Sequence, residues 1–421
     1  MTRTKATILI TLVFIIALGL AIGSYYYFYD ELATTSEDGR TGFRSFFPFG
    51  GTSGGEDDDK RDGTAGDVEE TRAPTLRQIG SEPVAGAFLF SKDENGKKID
   101  YVRYVQRATG HIYETKLAFL GTNRISNTTL PKIVEAKWLS PESVLLRYLS
   151  DDNETIITFL AELTGVSTST EGILEYKIDG DFLSEDIYDV TASSDGNIFY
   201  LKKENSSVVG TKIDGKTGRL TDIFTSPITE WLSHWMAGRT VWLTTKASYA
   251  SLGYTYALNS DSGSTQKILG NLSGLSILPN YDNTKFIYSY ISSGLPTFRI
   301  FDMGTGSSDE IYLSGLADKC AWSKRDTNIA YCAVPKEIKN STLPDSWYEG
   351  SYSFNDNIWK IEAESGSTEF MITPSDEAGE DIDAFNLLVS PDGEYLVFQN
   401  KNDLTLWSLY LSGVLPGPEE N

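Results

Sequence analysis

Two cysteines, Cys320 and Cys332, stand at equal distance either side of Asp326 in "CAWSKRDTNIAYCAV". In an unbulged hairpin they would face each other across two strands, on the same side as Trp322 and Ala330, close enough for a disulfide. The other reading is a pair of buried thiols filling a core. Only two histidines occur, His111 and His234, so a histidine-based metal cluster is nearly excluded. His234 lies in "WLSHWM", between Trp231 and Trp235. That setting suits an aromatic-walled ligand site, or ordinary strand packing, which is the expectation.

Two further stretches could do chemistry. "SDEAGEDID" carries Asp376, Glu377, Glu380, Asp381 and Asp383. Oxygen ligands so close together suit Ca²⁺, although no EF-hand loop pattern accompanies them and a solvated loop explains them equally. No other cofactor is expected. "AVPKEIKNSTLPDSWYEGSYSFND" follows Cys332 and carries Trp347, Tyr348, Tyr352 and Phe354. An aromatic loop on a rigid scaffold is where binding usually concentrates, so these four are the expected binding residues. The alternative is a loop that only caps its own repeat.

The chain around these residues is acidic, with 36 basic and 59 acidic residues and a net charge of −23. That balance argues against nucleic acid and against anionic lipid surfaces. Residues 6–29, "ATILITLVFIIALGLAIGSYYYFY", carry no charge. As a helix they would reach about 36 Å, enough to cross a membrane. Arg3 and Lys5 precede them and Asp30 and Glu31 follow, which places residues 1–5 in the cytoplasm and the rest outside it. The aromatic run "YYYFY" suits a retained signal-anchor, whereas Ala21-Ile22-Gly23 would suit cleavage of a signal peptide. Residues 30–73 are acidic and Gly-rich without hydrophobic period, and are expected to be a disordered linker.

The remainder, 74–413, repeats, and a short tail is expected over 414–421. One turn recurs in "KIDGKTGRL", "ALNSDSGSTQKI", "IFDMGTGSSDEI" and "KIEAESGSTEFMI", with looser copies around Gly110 and Gly165. The turn glycines, Gly110, Gly165, Gly218, Gly263, Gly306 and Gly366, come roughly every 50 residues. An apolar hairpin such as "FNLLVSPDGEYLVFQN" recurs in the same phase. Four strands per copy and seven copies predict an all-β, seven-bladed β-propeller, because a blade buries its two apolar faces only against neighbours. The last copy, ending at Leu411, lacks a fourth strand. Thr75 to Ile79 is expected to supply it and close the ring.

"CAWSKRDTNIAYCAV" and "LLVSPDGEYLVFQN" resemble the repeats of TolB-type propellers and of the propeller domain in dipeptidyl-peptidase-like proteins. The likeness is one of repeat texture. The Trp-Ser-Pro-Asp-Gly hallmark is split here between Trp322-Ser323 and Ser390-Pro391-Asp392-Gly393. The dipeptidyl-peptidase family carries its catalysis in a hydrolase domain after the propeller. That domain is expected to have no counterpart here, and no Gly-x-Ser-x-Gly elbow stands in a strand-to-helix setting. The expected function is therefore non-enzymatic binding of a protein partner outside the cytoplasm. The alternative is a propeller enzyme or carbohydrate-binding protein using channel carboxylates and aromatics.

Overall fold

The computed structural model describes residues 71–150, 154–167, 174–339 and 342–412. The expected cytoplasmic tail, anchor, almost all of the linker, and the C-terminal tail lie outside the described residues. Among the described residues no helix is long and apolar enough to cross a membrane.

Among the described residues twenty-eight strands form seven four-stranded antiparallel sheets. Blades 1 to 6 span 84–124, 133–182, 187–226, 231–273, 276–311 and 320–372. Within each, the strands lie side by side in chain order. Blade 7 takes three strands from 384–410 and its fourth from Leu76–Gly80. Leu76 pairs with Leu409 and Gln78 with Trp407, and the Tyr410 amide donates to the Thr75 carbonyl at 2.8 Å. Arg77 of this strand also reaches the Lys116 carbonyl of blade 1 at 3.0 Å, so one short strand holds both sides of the seam.

The turn grammar has a local cause. Asp302 Oδ1 accepts from the Gly304 and Thr305 amides at 2.9 and 2.8 Å, and Gly306 takes φ +70° to close the turn. Asp214, Asn259 and Glu362 play the same part ahead of Gly218, Gly263 and Gly366. Such self-capping is what favours short polar side chains in turns. Gly165 departs from expectation: it lies inside the strand Ile156–Ser167. Ala161 stands four residues before it, so no side-chain acceptor is there to fold the chain back.

Among the described residues the core divides into seven apolar clusters, one between each pair of neighbouring blades, and an eighth under the blade 6 insertion. Cys320 and Cys332 face each other in register and are joined, with an S–S distance of 2.06 Å. They share the cluster between blades 5 and 6 with Trp322 and Ala330.

Candidate functional site

The first strand of each blade lies nearest the ring axis, and residues from all seven blades enclose a cavity of about 490 Å³ there. Gly86, Lys137, Asp189, His234, Leu278, Cys320 and Gln399 are one lining residue from each, and Asp318 joins them from the 3-10 turn Ala317–Lys319 that leads into blade 6. Blades 1 and 2 meet tightly at Gly86, where a Cβ would fall 2.0 Å from the Ala136 carbonyl oxygen.

The polar groups of this cavity are mostly fixed by one another. Glu135 accepts from Arg147 and lies 3.3 Å from Lys137 Nζ. Lys137 also donates to the Val190 carbonyl at 2.7 Å, and Arg147 to the Ile187 carbonyl at 2.7 Å. Burial works against the Glu135 carboxylate, yet Lys137 and Arg147 hold its pKa below the ordinary range. Burial likewise opposes the Lys137 charge, but Glu135 and Asp189 hold its pKa above the usual value. Asp189 accepts from the Ser233 amide at 2.9 Å and from the Ser233 hydroxyl. Asp318 accepts from the Tyr348 phenol at 2.7 Å.

His234 is half-buried, and its ring makes no hydrogen bond among the described residues. Burial lowers its pKa, with Asp318 and Asp189 pulling the other way, so the imidazole is neutral at pH 7. Its ring nitrogens therefore offer one donor and one acceptor. The Ser233 hydroxyl is committed to Asp189 and not to His234.

The four aromatics of the insertion stand elsewhere. Trp347 and Phe354 are buried, and Tyr348 and Tyr352 half-buried, around Leu316 and Leu343. A buried ion cluster draws them inward. Lys319 lies 5.0 Å from the Trp347 ring centroid and 4.9 Å from that of Phe354. Asp383 accepts from Trp347 Nε1 and from the Phe354 amide, each at 3.0 Å. The insertion braces the ring: Asp345 accepts from the Tyr249 amide of the blade 4 hairpin, and Lys401 of blade 7 donates to the Trp347 carbonyl at 2.8 Å. Tyr348 alone of the four reaches the channel, through Asp318. Burial, with Asp318 and Asp345 nearby, raises its pKa far above the ordinary phenol value, so it remains a donor.

The acidic run does not converge. Asp376 and Glu377 lie on the short helix Pro374–Ala378, with Asp376 3.6 Å from Lys336. Asp381 is exposed and accepts from Asn355, and Glu380 is exposed. Asp383 is wholly buried against Lys319. Among the described residues no group of three or more His, Cys, Asp or Glu side chains is placed to hold a metal ion. Sequence reasoning missed Asp189, Asp318 and the Lys319 cluster. The available signal was a charged residue among apolar ones on an inner strand, as in "IYDVTA", or in the turn just before one, as in "ADKCAW".

No protein-family model matches the sequence, and no curated protein matches it. Solved structures do match. Oligogalacturonate lyase from Vibrio parahaemolyticus is 11% identical over 79% of this chain and 99% of its own, with TM-score 0.45. The β-propeller domain of the Trilobed protease from Pyrococcus furiosus is 11% identical over 79% and 96%, with TM-score 0.46. TolB from Acinetobacter baumannii is 12% identical over 77% and 79%, with TM-score 0.39. At these identities and TM-scores the likeness carries no statement about function, and the seven four-stranded blades are read from this chain's own strands.

Proposed function

We propose that the protein is a non-enzymatic binding module, anchored in a membrane by its N-terminal segment, whose partner outside the cytoplasm is recognised through the central channel. The cavity at the ring axis carries this reading. Its volume, about 490 Å³, falls within the range of about 300–1,000 Å³ usual for ligand sites. Asp189 and His234 converge on it from blades 3 and 4, and Asp318 from the turn that leads into blade 6. The bonded pair Cys320–Cys332 supports an oxidising, extracytoplasmic setting.

Leu232 lines the cavity but belongs to none of the apolar clusters, so it can be enlarged without disturbing the core. Crosslinked pulldown of the intact chain should recover a partner that Leu232→Trp loses at unchanged melting temperature. Equal recovery by the two would remove the channel from the proposal. One observation favours the second reading: Trp138 lines the same cavity as Glu135, Asp189 and Asp318. An aromatic platform beside carboxylates suits a polyhydroxylated ligand. Oligosaccharide binding lost in Leu232→Trp would support it.

A further inference from the structure

We propose that the central cavity takes an organic cation, an amine or guanidinium borne on a small ligand or on a partner's side chain. The inference rests on the reading of the channel as the binding site.

The charges around the cavity do not cancel. Glu135, Asp189 and Asp318 stand against Lys137 and Arg147. Both cations are engaged by Glu135 and by backbone carbonyls. Lys137 lies near enough to Asp189 to feel its charge. The hydrogen bonds to Asp189 and Asp318 nonetheless come only from neutral donors: the Ser233 amide and hydroxyl, and the Tyr348 phenol. Each of these bonds uses Oδ2, which leaves each Oδ1 without a hydrogen bond among the described residues.

His234 is an independent second sign. It is half-buried against the same cavity and lacks a hydrogen bond, and both Asp189 and Asp318 act on it electrostatically. A neutral imidazole supplies an acceptor that a cationic N–H can use. An anion would instead meet the carboxyl oxygens of Asp189 and Asp318, at a cost set by low local dielectric.

The space and the walls specify an organic cation. A cavity of about 490 Å³ is far larger than one bare ion, and the metal-ligand grouping an ion would need is absent among the described residues. Leu232, Ile277 and Leu278 give the lining an apolar side. Amphipathic cations use such a division, with the stem on the apolar wall and the charged head at the polar one.

The test uses the full chain in detergent and four probes of one size: n-butylamine, n-butylguanidine, n-butanol and butyrate. Calorimetry should show saturable binding of the two cations in the millimolar range, with butanol and butyrate at least about tenfold weaker. Asp318→Asn keeps an acceptor for Tyr348 and removes the charge. It should weaken both cations about tenfold and leave butanol unchanged, with an unaltered melting temperature. His234→Leu, which removes the acceptor, should weaken both cations and leave butanol unchanged, and it serves as the test if Asp318→Asn proves unstable. Leu232→Trp should abolish binding of every probe. Butanol or butyrate binding as tightly as butylamine, with loss in Leu232→Trp, would overturn the cation class and keep the channel site. Cation binding that survives Leu232→Trp would overturn both. Absence of cation binding would overturn the inference, and the partner pulldown would then decide the channel reading alone.

Discussion

Lys319 Nζ lies 2.9 Å from Asp356 Oδ2, and the same ammonium donates to Asp383, with all three side chains wholly buried. One cation thus serves two carboxylates, and the aromatic insertion folds over it. The second oxygen of Asp356 has no hydrogen-bond partner among the described residues. Burial pushes Asp356 up to about 6, against the pull of Lys319 and with a further push from Asp383.

Removing the shared cation should be costly, because it strands buried carboxylates. We expect Lys319→Met to lose about 3–5 kcal/mol in denaturant unfolding at pH 7. Asp356→Asn leaves a one-to-one pair and should stay within about 1 kcal/mol of wild type. Wild-type stability in Lys319→Met would show that the cluster does not hold the insertion in place.

Two carboxyls make the domain sensitive to pH. Asp356 is raised to about 6, and so is Asp100, by burial and by Asp392 across the seam between blades 7 and 1. A raised folded pKa means that the folded state holds the proton more tightly. The stability this contributes is full below about pH 4 and is lost as pH rises through about 6. Asp356→Asn should therefore gain on wild type by about 1–3 kcal/mol between pH 4 and pH 7. A difference that does not change with pH would mean that Asp356 titrates normally.

The seam strand should be indispensable. Leu76 is buried in the cluster between blades 6 and 7, so Leu76→Asp should cost about 3 kcal/mol or more in thermal or denaturant unfolding. A chain lacking 76–80 leaves the edge of Leu406–Tyr410 open and should associate on size exclusion. A monomer with an unchanged melting temperature would sink the ring-closure account.

The disulfide joins residues 12 apart in sequence. Closing a loop of that size is worth at most about 3 kcal/mol. Cys332→Ala should lose about 2–3 kcal/mol, and intact protein should take up no alkylating reagent until it is reduced. Labelling of native protein without reductant would contradict the bond.

What was legible in the sequence is what is local or periodic. The Asp302 to Gly306 turn writes its own signature into five consecutive residues, and copies of it mark most of the blades, Gly165 of blade 2 excepted. The Cys320–Cys332 register follows from one short hairpin, and the missing fourth strand of the last blade was visible as a shortfall. The channel was not legible, because Asp189 and His234 come from two blades and Asp318 from the turn before a third, and they meet only after the ring closes. Trp347 shows that aromatic density does not tell which way a ring faces. Its ring faces inward because Asp383 and Lys319 wait beneath it, 28 to 36 positions away in the chain.

The pairing of Leu76 with Leu409 sets an order of events during synthesis. Blades 1 to 6 each draw on one continuous stretch of chain, so each can form as that stretch emerges. Blade 7 alone joins the strand made first to strands made last. Leu76–Gly80 must wait unpaired through the making of six blades, while the growing arc presents apolar faces at both ends. The entropy of closing so long a loop grows only logarithmically, so the delay taxes the rate of folding far more than the finished ring's stability.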